Sequence, residues 1–330
     1  MDAIYKAGID LVLFLQALGE WLYAPMRFFS LLAEQYFFLF VITALYWCVN
    51  AQWGLRLGVY LMISGALNGL VKLLLHGPRP FWLDPKVKAY VFESSFGIPS
   101  GHAQNSVVVF GTLAAWIRRT WAWVLAVLMI ILVGLSRMYL GGHFITDVLA
   151  GWLIGALLLW VLFKWEKPFL SWLTNKSTTI QIVIVFGISL SFIVLAVLIN
   201  LAFGSWEMPA EWVENARLAY PDNTINPLSL SGVITYAAVL FGLAAGAIWV
   251  YSRGGFDAGG SIGKRIARLL IGLVGAAVFY IGLDLVFPEG ESAAALLLRY
   301  VRYGLVGFWA GGLAPTIFVA LKLAERKKLA

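Results

Sequence analysis

Charge is what this chain has least of. Of its 330 residues only 12% are Asp, Glu, Lys or Arg, while 61% are hydrophobic and the mean hydropathy is +0.85. A water-facing surface cannot be assembled from so few charges, so a soluble domain and a disordered binding segment are both excluded. Cysteine is nearly absent as well. The single Cys48 rules out an intramolecular disulfide and sits in an apolar run, where it reads as a small buried side chain. The chain has no internal repeat and no polar stretch long enough for a linker or a soluble domain. The net charge of +7 is spread in short basic runs between apolar stretches, without a patch of stacking aromatics, which excludes a nucleic-acid partner.

What is present is hydrocarbon in lengths that fit a bilayer. A span needs about 20 apolar residues. Such stretches fall at 34–51, 54–75, 101–117, 121–139, 145–164, 178–203, 228–251, 266–287 and 303–321. An isolated strand cannot satisfy its backbone in lipid, so all are expected to be helices. The fold class is therefore all-α, a polytopic transmembrane helix bundle of about nine to ten helices, with membrane lipids as its solvent. The 15 Trp and 13 Tyr suit the bilayer boundary.

Residues 1–33 form an apolar, amphipathic helical segment that either crosses or lies in the interface. Asp10, Glu20 and Arg27 interrupt it and Pro25 breaks it. Its lack of a small-residue cleavage site predicts that it is retained. Residues 34–165 form a first helical group, 166–177 a cytoplasmic linker rich in Lys and Pro, and 178–330 a second group to which no chemistry attaches. A homo-oligomer contact is compatible with that apolar second group.

Loop charge orients the chain. The stretches 118–119, 164–176, 253–268 and 322–328 carry thirteen Lys and Arg; the opposite side, apart from the motif residues below, carries five, namely Lys86, Lys88, Arg217, Arg299 and Arg302. The positive-inside rule places the first group in the cytoplasm. Loops 76–100 and 140–144 then face outward.

Three polar clusters interrupt the apolar pattern, each at an outward helix end: Lys72 to Pro80 (KLLLHGPRP), Pro99 to His102 (PSGH), and Ser136 to Asp147 (SRMYLGGHFITD). Charge at a membrane face is costly unless paired or used. Lys72, Arg79 and Arg137 outnumber what Asp84, Glu93 and Asp147 can pair with, and a bound phosphate would balance them, held by Arg forks and a Lys point charge. Ser100 and Gly101 open a helix whose first amides can face an anion. His143 and Asp147, four residues apart, share a helix face, so the carboxylate can orient the imidazole of a nucleophile. His102 is then available as a general acid. Each cluster alone has a plain reading: a local hydrogen bond, a helix cap, an arginine anchored among headgroups. Their coincidence on one membrane face is the signal.

Lys72 to Arg79-Pro80, Pro99-Ser100-Gly101-His102, and Ser136-Arg137 to His143 to Asp147 resemble the three signature motifs of the type 2 phosphatidic acid phosphatase (PAP2) superfamily, over about residues 30–165. The flanks RPFWLDPKV and GIPSGHAQNS are similar to its bacterial membrane-bound branch. The resemblance implies catalysis by His143, His102 and Asp147, and phosphate binding by Lys72, Arg79, Ser100, Gly101 and Arg137. It implies a phosphohistidine intermediate with neither cofactor nor metal, and a lipid substrate: phosphatidic acid, phosphatidylglycerol phosphate or an isoprenoid diphosphate. It also implies a bacterial plasma membrane location with an extracytoplasmic site. The superfamily's haloperoxidases are soluble, unlike this chain, and glucose 6-phosphate would need a sugar site for which there is no separate signal. His76 is outside the motifs and either tunes the pocket or sits at the interface. Two other readings stay open: a transporter, which predicts charges at mid-membrane, and an inactive lipid-binding relative, which predicts a lost motif residue.

Overall fold

The computed structural model describes residues 3–327. Every regular element among them is helical; a lone bridge between Gly255 and Lys327 is the nearest approach to a strand. Among the described residues seven helices are long and apolar enough to span a membrane, or eight if the bent N-terminal pair counts as one span. The chain is thus an all-α integral membrane protein. The difference from nine or ten lies in two short helices: α3 (Gln35–Cys48) has 14 residues and α6 (Gly101–Ile117) has 17. At 1.5 Å per residue they reach about 21 and 26 Å, less than the ~30 Å of hydrocarbon.

The chain divides into two compact units, neither continuous in sequence. One contains Met1–Phe37, Leu67–Val161 and Ala196–Ser229; the other contains Phe38–Ala66, Leu162–Leu195 and Leu230–Ala330. This partition differs from the sequential one expected at 165–178, because contacts follow space and not chain order. The expected linker is also mostly helix: α8 (Ile145–Thr174) runs on past Pro168.

In the first unit, α1 (Ala3–Ala17) and α2 (Tyr23–Leu31) meet at about 90° and both pack on α7 (Thr120–Tyr139). Tyr139 donates to the Gly19 carbonyl at 2.9 Å, which ties the bend to the end of α7. α4 (Ala51–Leu75), of which residues from Leu67 belong here, stops where His76 turns left-handed (φ 49°) ahead of Gly77 and Pro78. A short helix α5 (Pro80–Leu83) follows, and α10 (Ala210–Ala219) lies against it. The core beneath is apolar and aromatic: Ile9, Val12, Phe81, Trp82, Phe96, Phe144 and Ala216 are buried together.

α6 and α8 approach unusually closely. A β-carbon on Gly151 would lie 2.6 Å from the Ser100 carbonyl oxygen, and one on Gly155 2.7 Å from that of Gln104. Two glycines one turn apart therefore let the backbones touch, as small-xxx-small pairs do in membranes. That contact brings the PSGH turn against the start of α8.

The second unit is built around α11 (Ser231–Tyr251) and α13 (Ala293–Phe308), again with glycines at the seam, Gly242 against Gly304. α12 (Ile262–Asp284) turns Leu270, Val274, Val278 and Ile281 outward, each more than half exposed, along one helical stripe. Such a stripe fits a lipid solvent. Asp284, the clearest acid in this part of the chain, pairs with Arg302.

Candidate active site

All three motifs meet in the first unit. The end of α4 supplies Lys72, the loop before α5 Arg79, the N-terminus of α6 Ser100 to His102, the last turn of α7 Arg137, and the turn into α8 His143 and Asp147. Arg79, Ser100, Arg137, His143 and Asp147 are buried, between 0 and 2% exposed. Burying this many ionisable groups is costly unless each is paired.

The pairing runs as a network. The Nδ1 atom of His143 is 3.3 Å from Oδ2 of Asp147, and that same oxygen accepts from the Phe144 amide at 2.9 Å. The Ser100 amide donates to the Asp147 backbone carbonyl at 2.9 Å, which locks the α6 turn to α8. On its other side the His143 ring presents Nε2 at 3.3 Å from Nη1 of Arg79. Arg79 is held by three carbonyls: Nε to Ser95 at 2.6 Å, Nη1 to Gly142 at 2.8 Å and Nη2 to Phe96 at 3.0 Å. Lys72 Nζ donates to the Phe96 carbonyl at 2.6 Å and to the Ser95 hydroxyl at 2.9 Å, so Lys72 and Arg79 share acceptors.

Arg137 donates to the Ser30 hydroxyl at 2.8 Å and to Glu93 Oε1 at 2.7 Å, and the other Glu93 oxygen lies 3.6 Å from Arg79. Glu93 thus bridges two of the three cations. Burial by itself would raise its carboxyl pKa, but Arg79 and Arg137, with smaller contributions from His102 and Lys72, outweigh burial and hold it at about 2. His143 is displaced the other way from a typical carboxylate-paired histidine. Burial first, then Arg79 and Arg137, push its pKa well below the ordinary value, so the ring is neutral near pH 7.

His102 stands on the first turn of α6, in the electrostatic reach of Glu93 and Arg137, and its Nε2 is buried without a hydrogen-bond partner, as is Nε of Arg137. Buried polar atoms of this kind are rare unless a site uses them. Ser100 caps α6, its hydroxyl accepting from Ala103 at 3.5 Å. Gly101 leaves room against Asn68, whose carboxamide oxygen would be 3.2 Å from an added β-carbon.

All eight predicted residues therefore lie in the same unit, and hydrogen bonds link Lys72, Arg79, Arg137, His143, Asp147 and Ser100 directly or through Glu93, Ser95 and Phe96. Asp84 does not join them; it closes a turn by accepting from the Lys86 amide at 2.8 Å. Several participants had no assigned role in the sequence. Asn68 donates to Gln104 at 2.9 Å and to the Pro99 carbonyl at 3.3 Å, bracing α4 against α6. Its position four residues before Lys72 puts it on the same helix face, a usable signal. Ser95 and the Phe96 carbonyl lie on an irregular loop, where no periodicity marks them; Glu93, on the same loop, is one of the three carboxylates the sequence offers the cations, and it sits between Arg79 and Arg137. Ser30 comes from the ambiguous N-terminal segment. Among the described residues no group of three His, Cys, Asp or Glu is placed to hold a metal ion.

Comparison with known proteins matches two stretches of the chain. Residues 53–171 match the PAP2 superfamily, and residues 234–326 match the transmembrane extension of PAP2 superfamily phosphatases. Phosphatidylglycerophosphatase B of Bacillus subtilis is 34% identical over 113 residues, which is 28% of this chain and 56% of that protein. The undecaprenyl-diphosphatase of Sulfolobus acidocaldarius is 32% identical over 114 residues, 33% of this chain and 52% of the relative. The chain spans about half the length of these two relatives. A crystal structure of a transmembrane PAP2 type phosphatidylglycerolphosphate phosphatase from Bacillus subtilis aligns with 26% identity and a TM-score of 0.44, covering 51% of this chain and 88% of that one.

Proposed function

The chain belongs to the PAP2 superfamily, through residues 53–171 and the superfamily's transmembrane extension at 234–326, and from that premise we propose that it hydrolyses the phosphate ester of a membrane lipid through a histidine nucleophile. The observation that carries the reading is the setting of His143. One ring nitrogen faces Asp147, the other faces Arg79, and the ring is neutral. With Nδ1–H directed to the carboxylate, Nε2 keeps its lone pair on the side where the cations converge.

In the proposed reaction Nε2 of His143 attacks phosphorus, forming an N–P bond as the P–O bond to the lipid breaks. His102 gives its proton to the departing oxygen, releasing the lipid alcohol. Water then attacks phosphorus, returns a proton to His102, and the N–P bond breaks to yield inorganic phosphate. Lys72, Arg79 and Arg137 hold the non-bridging oxygens with the Ser100 hydroxyl and the Gly101 amide at the start of α6, and Asp147 stabilises the charge that develops on His143. The buried, unpartnered Nε2 of His102 and Nε of Arg137 supply hydrogen bonds a phosphate ester needs.

The relatives named for phosphatidylglycerophosphate and for undecaprenyl diphosphate both act on phosphorylated lipids, and helix ends suit a headgroup whose tail stays in the bilayer. We propose phosphatidic acid or phosphatidylglycerol phosphate as substrate, with an isoprenoid diphosphate as the second reading, favoured by the undecaprenyl-diphosphatase match. We propose a bacterial plasma membrane location with the site on the extracytoplasmic face, a reading that the loop charges support. Phosphate release by purified protein from a panel of these lipids, with His143→Ala alongside, tests the proposal. Equal turnover by both proteins would refute it.

A further inference from the structure

Residues 203–220 lie in neither of the two matched stretches, yet they pack on the loop that carries Arg79. Phe203 and Trp206 each face the His76 ring, with centroids at 4.7 and 4.8 Å. His76 in turn stands 4.8 Å from the Phe96 ring, and Trp206 itself is 5.4 Å from Phe96. Two further anchors follow along the same segment. Asn215 donates to the Trp82 carbonyl at 2.9 Å, and the Tyr220 hydroxyl donates to the Ala89 carbonyl at 2.7 Å.

Phe96 is where this packing meets the chemistry. Its ring is wholly buried in the aromatic group, and its carbonyl accepts from both Lys72 Nζ at 2.6 Å and Arg79 Nη2 at 3.0 Å. A single backbone oxygen therefore aims two phosphate-binding cations, and the side chain of that residue is what the aromatic cluster grips. His76 completes the grip at a cost. It adopts φ 49°, a left-handed conformation uncommon outside glycine, and its Nε2 is buried without a hydrogen-bond partner. Both features are unfavourable and persist only where surrounding contacts impose them.

We propose that Trp206, acting through His76 and Phe96, is a positioning residue for Lys72 and Arg79: the segment between the two family stretches clamps the phosphate-binding loop and keeps both cations converged on the substrate phosphate. The inference rests on the phosphatase reading. It gives residues 203–220 a role that apolar packing alone would not require, because misplacing a binding group by about 1 Å can cost on the order of 100-fold in rate.

The test compares wild type, Trp206→Ala, Trp206→Phe and Trp309→Ala as full-length protein in detergent. Trp309 is a buried indole of the other unit, bonded to the Gly272 carbonyl at 2.8 Å, and serves as a purely structural control. KM and kcat are measured on phosphatidic acid in mixed micelles, with the inhibition constant for orthovanadate and the melting temperature of each variant. A structural loss lowers the number of active molecules, hence apparent kcat, and leaves KM and the vanadate constant alone. The clamp predicts that Trp206→Ala raises both KM and the vanadate constant about tenfold, that Trp206→Phe restores them to within about threefold, and that Trp309→Ala moves only kcat and melting temperature. If Trp206→Ala cannot be extracted, Trp206→Leu, which keeps bulk and loses the flat ring, carries the same expectation. Unchanged KM and vanadate constant in either truncated variant would overturn the clamp. Failure of wild type itself to hydrolyse the lipid or bind vanadate would instead overturn the phosphatase reading.

Discussion

Replacing Glu93 with glutamine sets an internal anion against an external one. Glu93 bridges Arg137 at 2.7 Å and Arg79 at 3.6 Å, the two guanidinium groups that a phosphate would use. Its carboxyl pKa of about 2, against the ordinary 4.5, corresponds to about 3 kcal/mol of net preference for the charged form. The side chain is 27% exposed, so solvent screens part of that, and about 1.5–3 kcal/mol is the range an incoming phosphate has to match. Glutamine keeps the shape and one hydrogen-bonding oxygen but not the charge. Two opposite changes are expected. Without ligand, Glu93→Gln melts at a lower temperature, because two buried arginines lose their counter-charge. With orthovanadate, its affinity rises by about 10- to 100-fold over wild type, so the ligand-induced gain in melting temperature is larger. Titrating vanadate into both proteins during thermal melting in detergent reads the two effects together. Equal or weaker vanadate binding by the variant would refute the view that Glu93 and phosphate use the same donors.

Four further outcomes follow from the same geometry. His143→Ala should lower phosphate release by at least about 10³-fold and abolish an acid-labile phosphoenzyme detectable by mass spectrometry, since loss of a nucleophile removes the covalent path. The acid limb of kcat/KM that reports His143 should lie below pH 6.5, because the depressed His143 pKa keeps the ring neutral down to there and its protonation silences the lone pair; an acid limb at or above 6.5 would contradict this. Gly151→Ala should destabilise by about 1–3 kcal/mol, against the usual gain from replacing a helical glycine, since the new methyl would meet the Ser100 carbonyl at 2.6 Å; detergent melting and phosphate release should fall together. Activity should persist in EDTA, because the proposed roles are filled by side chains and backbone amides; strict Mg²⁺ dependence would count against the mechanism.

The chain's amino acids determined its solvent, its helical backbone and its eight candidate residues. With 12% charged residues and repeated apolar runs, lipid and α-helix were the only consistent solution, and three polar clusters at helix ends stood out against that background. Helix number was less legible, because hydropathy registers an apolar stretch whether it crosses the bilayer or, like α6 with its 17 residues, is too short to do so alone. Only the tertiary structure decided which loop atoms complete the cluster. Ser95 and Phe96 lie on irregular backbone, and their partners are reached across 16 to 24 residues of chain, so no local spacing could announce them; Glu93 stands out in the sequence as a nearby carboxylate, but its bond to Arg137, 44 residues away, does not. Only it, too, showed that Ser30 from the N-terminal segment and Trp206 from the stretch between the two family matches belong with the motifs. Periodicity reports which face of a helix is apolar; which neighbours cover that face is set by close approaches such as Gly151 on Ser100, a property of packing in three dimensions and not of the pattern along the chain.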